Sequence, residues 1–132
     1  RSALKEKVRR YIFISSISVY GDFSKVGIRE NHPVGKLKDE TTEEITGETY
    51  GPLKALCEKT VQEIYGPRAL IIRPGLIVGP HDPTDRFTYW PWRISKGGEV
   101  LCPGTPDILQ QFIDVRDLSD WIIRQAENHH HS

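Results

Sequence analysis

A chain of 132 residues with 18 basic and 18 acidic side chains has room for one hydrophobic core and carries no net formal charge. This balance offers no electrostatic case for binding nucleic acid or an anionic membrane, so small molecules or protein surfaces are the expected partners. The two cysteines lack CxxC or CxxH spacing, which argues against a zinc site or a disulfide framework. No apolar run approaches the roughly 20 residues of a membrane span. We therefore expect a soluble, cytoplasmic protein.

The first predicted elements are a helix end and a strand. Residues 3–9 have the pattern of a helix end, and Tyr11–Ser15 is a short β-rich run typical of a strand buried on both faces. Residues 21–47 are polar and rich in glycine, with an acidic cluster, which is the composition of a long loop.

An amphipathic helix follows this loop. Its apolar side chains recur at helical spacing, and the pattern turns Glu58 away from them. Pro52 is tolerated only in a first turn, so we expect the helix to begin near Glu48–Gly51, with Thr46 as a candidate cap, and to end at Gly66–Pro67.

The run 69–80 predicts a second buried strand, stopped by Pro74 and Gly75. A strand, a helix and a strand in sequence imply a parallel pair with a right-handed crossover. Farther on, the sequence predicts a short helix interrupted by Pro91, a short strand at 99–102 and a final helix over 115–127.

Two polar motifs suggest chemistry. Tyr50 and Lys54 are four residues apart on the predicted helix and share a face, where an ammonium favours the phenolate form of a tyrosine for proton exchange. Ser15 and Ser16 follow the first strand, at the end of a parallel sheet where ligands bind. Each motif alone also fits a simpler interpretation, a solvated helix face or a strand end capped by serines.

Four motifs in order, SSISVYG, YGPLK, IIRPGLIVGP and QFIDVRDL, resemble the extended short-chain dehydrogenase/reductase family, the NAD-dependent epimerase/dehydratase group. The resemblance covers nearly the whole chain. It implies an α/β fold, the C-terminal part of a Rossmann-like doubly wound parallel sheet with a small substrate-binding portion. On this basis residues 1–132 form a single partial domain, with the catalytic motifs in 1–80 and the substrate-binding portion in 81–132.

The resemblance also assigns roles. Ser16 matches the family's catalytic serine, Tyr50 its general acid/base and Lys54 the lysine that also holds the nicotinamide ribose. Ser15 lines the same turn, and Pro74 matches the residue whose neighbourhood touches the nicotinamide. Hydride transfer would be the chemistry of NAD or NADP.

The family's GxxGxxG turn, which receives the cofactor pyrophosphate, does not occur in this sequence. We therefore expect a piece of a longer protein that is nearly inactive alone and binds no cofactor tightly. Without the preceding strands, an apolar sheet edge would be exposed, which predicts self-association.

Substrate contacts are less clearly indicated. Where sugar-nucleotide epimerases of this family carry a phosphate-gripping arginine, the sequence has Gln110, which weakens the case for a sugar nucleotide. Arg73, Arg86 and Arg93 are candidates to compensate. The aromatic stretch Phe87–Trp92 either walls a substrate pocket or covers the sheet, and we favour the cover.

A metal site is not expected. His81 and Asp82 follow a strand end, but no third ligand is in view. The histidines at 129–131 are either native or the remainder of a tag, and we do not count them as a metal site.

The main hypothesis is the catalytic and substrate-binding portion of an NAD(P)-dependent oxidoreductase or epimerase, acting on a small molecule with a hydroxyl or carbonyl group, such as a sugar derivative. The alternatives are a non-catalytic binding or scaffold protein that retains this fold and a fragment with no function apart from its parent.

Overall fold

A computed structural model describes residues 4–127 and shows a mixed α/β fold with small parallel sheets. The chain divides between Pro74 and Gly75 into two compact units. Among the described residues, no helix is long and apolar enough to cross a membrane.

The first unit is a strand, helix and strand. Strand β1 (Tyr11–Ile14) pairs in parallel with strand β2 (Ala69–Ile72), and helix α1 (Tyr50–Tyr65) connects them. The register aligns Tyr11 with Ala69 at one end of the pair. The predicted parallel pair is therefore confirmed.

Apolar contacts hold α1 against this sheet. Val61 and Tyr65 of α1 are buried, as is Ile72 at the end of β2. The Tyr65 ring also stacks on the Tyr11 ring of β1, with the ring centroids 4.3 Å apart. Val19, between β1 and the long loop, is fully buried. These contacts form the core of the first unit.

The start of α1 agrees with the sequence. The Thr46 side-chain oxygen accepts hydrogen bonds from the backbone N–H groups of Glu48 and Thr49, so it caps the turn that leads into the helix. At the other end, Gly66 follows Tyr65 with a φ of +52°, a conformation that favours glycine, and the helix stops there.

At the start of the described residues, the N–H groups of Lys7 and Val8 both donate to the Leu4 carbonyl, which is one helical turn. One expectation for the first unit needs correction. Strand β1 is only half-buried, and Ile14 is 40% exposed. The reason is that β1 pairs only with β2 among residues 4–127.

The second unit pairs strand β3 (Leu76–Val78) in parallel with strand β4 (Phe112–Asp114). Helix α2 (Tyr89–Ser95) lies between them in sequence, and helix α3 (Val115–Glu127) follows β4. The Phe87 ring packs on the Phe112 ring at 4.7 Å between centroids.

The sequence misplaced two strands of the second unit. The run 69–80 is not one strand but two, β2 and β3, which belong to separate sheets. The extended structure is interrupted at Pro74 and Gly75, between the two strands. Residues 99–102 form no strand, and the pairing partner of β3 is Phe112–Asp114 instead. The helix around Pro91 is not interrupted, because the proline lies in its first turn.

The final helix matches its predicted bounds, and Asp114 holds its N-terminus. The Asp114 carboxylate accepts from the backbone N–H of Arg116 at 2.8 Å and pairs with the Arg116 guanidinium at 2.6 Å. These side-chain and backbone hydrogen bonds from Arg116 lower the pKa of Asp114 to about 2. The charged carboxylate also suits the positive end of the helix dipole.

We predict that Asp114 keeps its charge to unusually low pH. Because its folded pKa is depressed, its contribution to stability is present above the unfolded pKa of about 3.9 and is lost as the pH falls through about 2. Carboxyl ¹³C NMR titration measures this midpoint. The Arg116→Gln variant should raise it, and a midpoint near 3.9 in the unmodified protein would contradict the assignment.

Candidate active site

The candidate site lies at the carboxyl ends of β1 and β2. The Ser15 backbone N–H donates to the Ile72 carbonyl at 2.7 Å, and the Ile17 N–H donates to the Pro74 carbonyl at 3.0 Å. These two bonds extend the parallel pairing past the last residue of each strand. They bring the predicted residues Ser15, Ser16 and Pro74 to one end of the sheet.

The two serines have different surroundings. The Ser15 hydroxyl is buried, and the structure gives it no hydrogen-bond partner among residues 4–127. The Ser16 hydroxyl caps a short 3₁₀ turn, accepting from the Ser18 N–H and donating to the Ser18 hydroxyl, each at 3.1 Å. Ser16 therefore has the local capping role expected of a serine at a strand end, and its hydroxyl rests against a second hydroxyl.

Helix α1 places Tyr50 next to this turn. Gly51 is buried, and a Cβ at this position would overlap the Ser18 carbonyl, lying 2.9 Å from its carbon. Only glycine lets the first turn of α1 approach Ser18 so closely. Pro52 packs on Gly35 in the same way, at 3.2 Å from the Cβ that Gly35 lacks. The two residues after Tyr50 thus pack the start of α1 against the neighbouring loops. One of these is the short turn from Ser16 to Tyr20, called the serine turn below.

Lys54 reaches the end of β1. Its Nζ donates to the Ile14 carbonyl at 2.7 Å and lies 4.5 Å from the centre of the Phe13 ring. An ammonium has three N–H donors, so two remain after this bond. Tyr50 is 40% exposed and accessible to a ligand. The predicted trio of Ser16, Tyr50 and Lys54 is therefore carried by elements that meet at one strand end.

Arg73 is occupied by protein groups. Its guanidinium forms a bidentate pair with Glu58, at 2.6 and 2.9 Å. Nη1 donates to the Tyr20 hydroxyl and to the Glu30 carbonyl, both at 3.0 Å. The hydrogen bonds that Arg73 donates to the Glu58 carboxylate raise the pKa of Arg73. This geometry gives no support to the prediction that Arg73 binds substrate, because four of its five N–H donors already have protein partners.

The remaining predicted residues belong to the second unit. Arg86 is exposed, and its Nε donates to the Thr84 hydroxyl at 2.8 Å. Gln110 is exposed in the segment before β4. The structure leaves their substrate-binding roles as predictions. The Arg93 guanidinium donates to the backbone carbonyls of Gly97 and Glu99, which also belong to the second unit.

No metal centre emerges from the described part of the chain. Within residues 4–127, no three His, Cys, Asp or Glu side chains are grouped as metal ligands. His81 and Asp82 therefore gain no third ligand there. The terminal histidines lie outside the described residues.

Sequence reasoning missed three residues that build this site. Glu58 was assigned to the solvent side of α1 but is buried, because Arg73 pairs with it. Ser18 and Gly51 were not singled out, although they form the contact between turn and helix. The available signal was the glycine directly after Tyr50, since a glycine inside a helix costs stability unless a close approach needs it.

The model of the NAD dependent epimerase/dehydratase family matches residues 1–132. The chain belongs to this family. Comparisons with curated proteins and with solved structures found no significant match. The family's activity is NAD-dependent and of the epimerase or dehydratase type, as the sequence motifs implied.

The residues at the strand end fit the nicotinamide-ribose end of such a cofactor. The buried Ser15 hydroxyl has no partner among residues 4–127, and Lys54 keeps further N–H donors after its bond to the carbonyl of Ile14, the residue before Ser15. The pyrophosphate end has no matching element, because no GxxGxxG spacing occurs in the sequence. The fit is therefore limited to one end of the cofactor.

We predict that Gly51→Ala lowers the free energy of unfolding by about 2 kcal/mol, because the added methyl group overlaps the Ser18 carbonyl. Urea denaturation measures the loss, and amide NMR shifts at residues 16–19 report the displaced turn. Gly47→Ala is the matched control, since nothing lies within 4 Å of a Cβ there. Equal effects at the two glycines would contradict the close approach.

A second prediction concerns the buried ion pair. Glu58→Ala leaves the Arg73 charge without its partner, and we expect a loss of about 3 kcal/mol in the free energy of unfolding. Glu58→Gln should lower the free energy of unfolding by less than Glu58→Ala does, because the glutamine amide oxygen still accepts one hydrogen bond from Arg73. Glu63→Ala, at an exposed position of the same helix, should change stability by no more than about 0.5 kcal/mol. Urea denaturation of the three variants tests this order.

Proposed function

We propose that Ser16, Tyr50 and Lys54 form the proton-transfer and substrate-holding site of an NAD(P)-dependent oxidoreductase or epimerase/dehydratase. The observation that carries the proposal is the docking of the Tyr50 turn on the Ser16 turn through Gly51. This contact joins the two halves of the family's catalytic motif at the strand end where ligands of parallel sheets bind.

Each residue has a task that its chemistry suits. Tyr50 gives a proton to, or takes one from, the hydroxyl or carbonyl oxygen of a small substrate, such as a sugar derivative. Ser16 holds the same oxygen through its hydroxyl, turning from Ser18 toward the substrate. Lys54 supplies positive charge near the phenol, which favours phenolate when Tyr50 has lost its proton.

When bound, NAD or NADP supplies hydride transfer. On this proposal Lys54 holds a ribose hydroxyl, and Ser15 and Pro74 line the nicotinamide end. Residues other than these 132 bind the pyrophosphate, so the chain alone binds cofactor weakly and turns over little substrate. Self-association through the exposed edge of the β1–β2 sheet stays a prediction.

The decisive test is Tyr50→Phe in a chain that includes a pyrophosphate-binding turn. General acid/base groups contribute about 10²- to 10⁴-fold to rate, and we expect kcat to fall by about that factor. The assay follows nicotinamide absorbance across a panel of secondary alcohols and the corresponding carbonyl compounds. The melting temperature should stay unchanged.

Tyr65→Phe is the control on the same helix. Its ring is buried against Tyr11, and the variant keeps that stacking, so activity should be unaffected. If the protein is a scaffold that only retains the fold, neither variant should change its function. Full turnover in the Tyr50→Phe variant of an active protein would therefore refute the catalytic role of Tyr50.

A further inference from the structure

A small cavity lies at the carboxyl ends of the two parallel strands of the second unit. Its volume is about 240 Å³. Val78, the last residue of β3, and Val115, directly after β4, form part of its apolar lining. Ligands of parallel α/β sheets bind beyond this end of the strands. The volume is below that of pockets for drug-sized ligands, so only a small molecule fits.

The turn that walls this cavity has unusual backbone geometry. Gly79 has a φ of +124°, and a Cβ there would lie 3.1 Å from the Val115 side chain. His81 has a φ of +69°, which is uncommon for a residue other than glycine. Gly79 adopts its φ without strain, whereas His81 does not. A residue other than glycine in this conformation persists only where the surroundings enforce it, and such residues are concentrated at ligand sites.

Asp82 is one of the residues that line the cavity, and one of its carboxylate oxygens is unsatisfied. Its Oδ1 accepts from both the backbone N–H and the hydroxyl of Thr84. Its Oδ2 is covered by protein, yet it has no hydrogen-bond partner among residues 4–127. The bonds from Thr84 lower the pKa of Asp82, so the group is a carboxylate at neutral pH. A covered carboxylate oxygen without a donor is costly, and a ligand O–H group would satisfy it.

Arg86 supplies the complementary charge. Its Nε donates to the Thr84 hydroxyl, which itself donates to Asp82, so one threonine orients both charged groups. In the part of the chain that the structure describes, the Nη atoms of Arg86 form no hydrogen bond to protein and remain available as paired donors. A guanidinium with two free N–H groups binds a carboxylate in a bidentate manner.

We propose that this cavity binds a small hydroxy carboxylate. A small rotation of the Asp82 side chain uncovers Oδ2, and the ligand hydroxyl donates to it. The ligand carboxylate accepts from Arg86, and its apolar part packs against Val78 and Val115. Asp82 and Arg86 together are neutral, so a monoanion suits the site better than a phosphate dianion, which the Asp82 carboxylate would repel more strongly. The site uses residues of the second unit only and does not depend on the chemistry of Tyr50.

The test uses mandelate, a hydroxy acid with an apolar ring, and phenylacetate, which lacks only the hydroxyl. Titrations of the protein follow the amide and methyl NMR signals of Val78 and Val115. A ligand of this size should bind mandelate with a Kd of about 1 mM and phenylacetate about tenfold more weakly, because only mandelate reaches Asp82 Oδ2. Equal binding of the two acids, or no saturable shift, overturns the proposal.

Variants assign the contacts. Asp82→Asn should abolish the preference for mandelate, since an amide replaces the unsatisfied oxygen. Arg86→Gln should weaken the binding of both acids about tenfold. Arg124→Gln, which removes an exposed arginine of α3 that pairs with Asp120, is the control and should change neither affinity. If Asp82→Asn fails to fold, the affinities of the two acids for the unmodified protein and for Arg86→Gln still decide whether the cavity binds a hydroxy carboxylate. Retention of the preference in folded Asp82→Asn contradicts the assignment.

Discussion

The candidate active site depends on one close approach, between the first turn of α1 and the carbonyl of Ser18. This contact is sterically possible because position 51 has no side chain. It fixes where α1 begins relative to the end of β1, and therefore where Tyr50 lies relative to Ser16. Lys54, one turn farther along the helix, then reaches the Ile14 carbonyl. A glycine that weakens the helix locally is thus retained for the geometry that it permits.

The Arg73 network joins the same elements at a second place. Arg73 follows β2 directly, and its guanidinium joins Glu58 of α1 to Tyr20, the residue that ends the serine turn. The burial of Glu58 would be costly without this partner. The pair is well formed, with two direct bonds, and Nη1 of Arg73 has two further acceptors in the Tyr20 hydroxyl and the Glu30 carbonyl. Such a network contributes to a unique arrangement of helix and turn more than to net stability.

The sequence predicted the main helices and the first strand correctly, because these elements depend on local sequence. The strand before Ser15, the helix carrying Tyr50 and its glycine stop, and the final helix from Val115 all follow from periodicity and capping. The rest depends on tertiary pairing. Helical spacing put Glu58 among solvated residues because its partner, Arg73, lies 15 positions away on another element. Residues 99–102 and 112–114 have similar strand propensity, and only the pairing with β3 selects the second run.

Buried polar atoms in this chain fall into two classes that have different consequences. The carboxylate of Glu58 has its bonds within the protein, so it stabilises structure and offers nothing to a ligand. The hydroxyl of Ser15 and Oδ2 of Asp82 are covered but have no partner among residues 4–127, and each lies just beyond a parallel strand. Folding leaves such atoms unpaired at a cost that a bound group can remove.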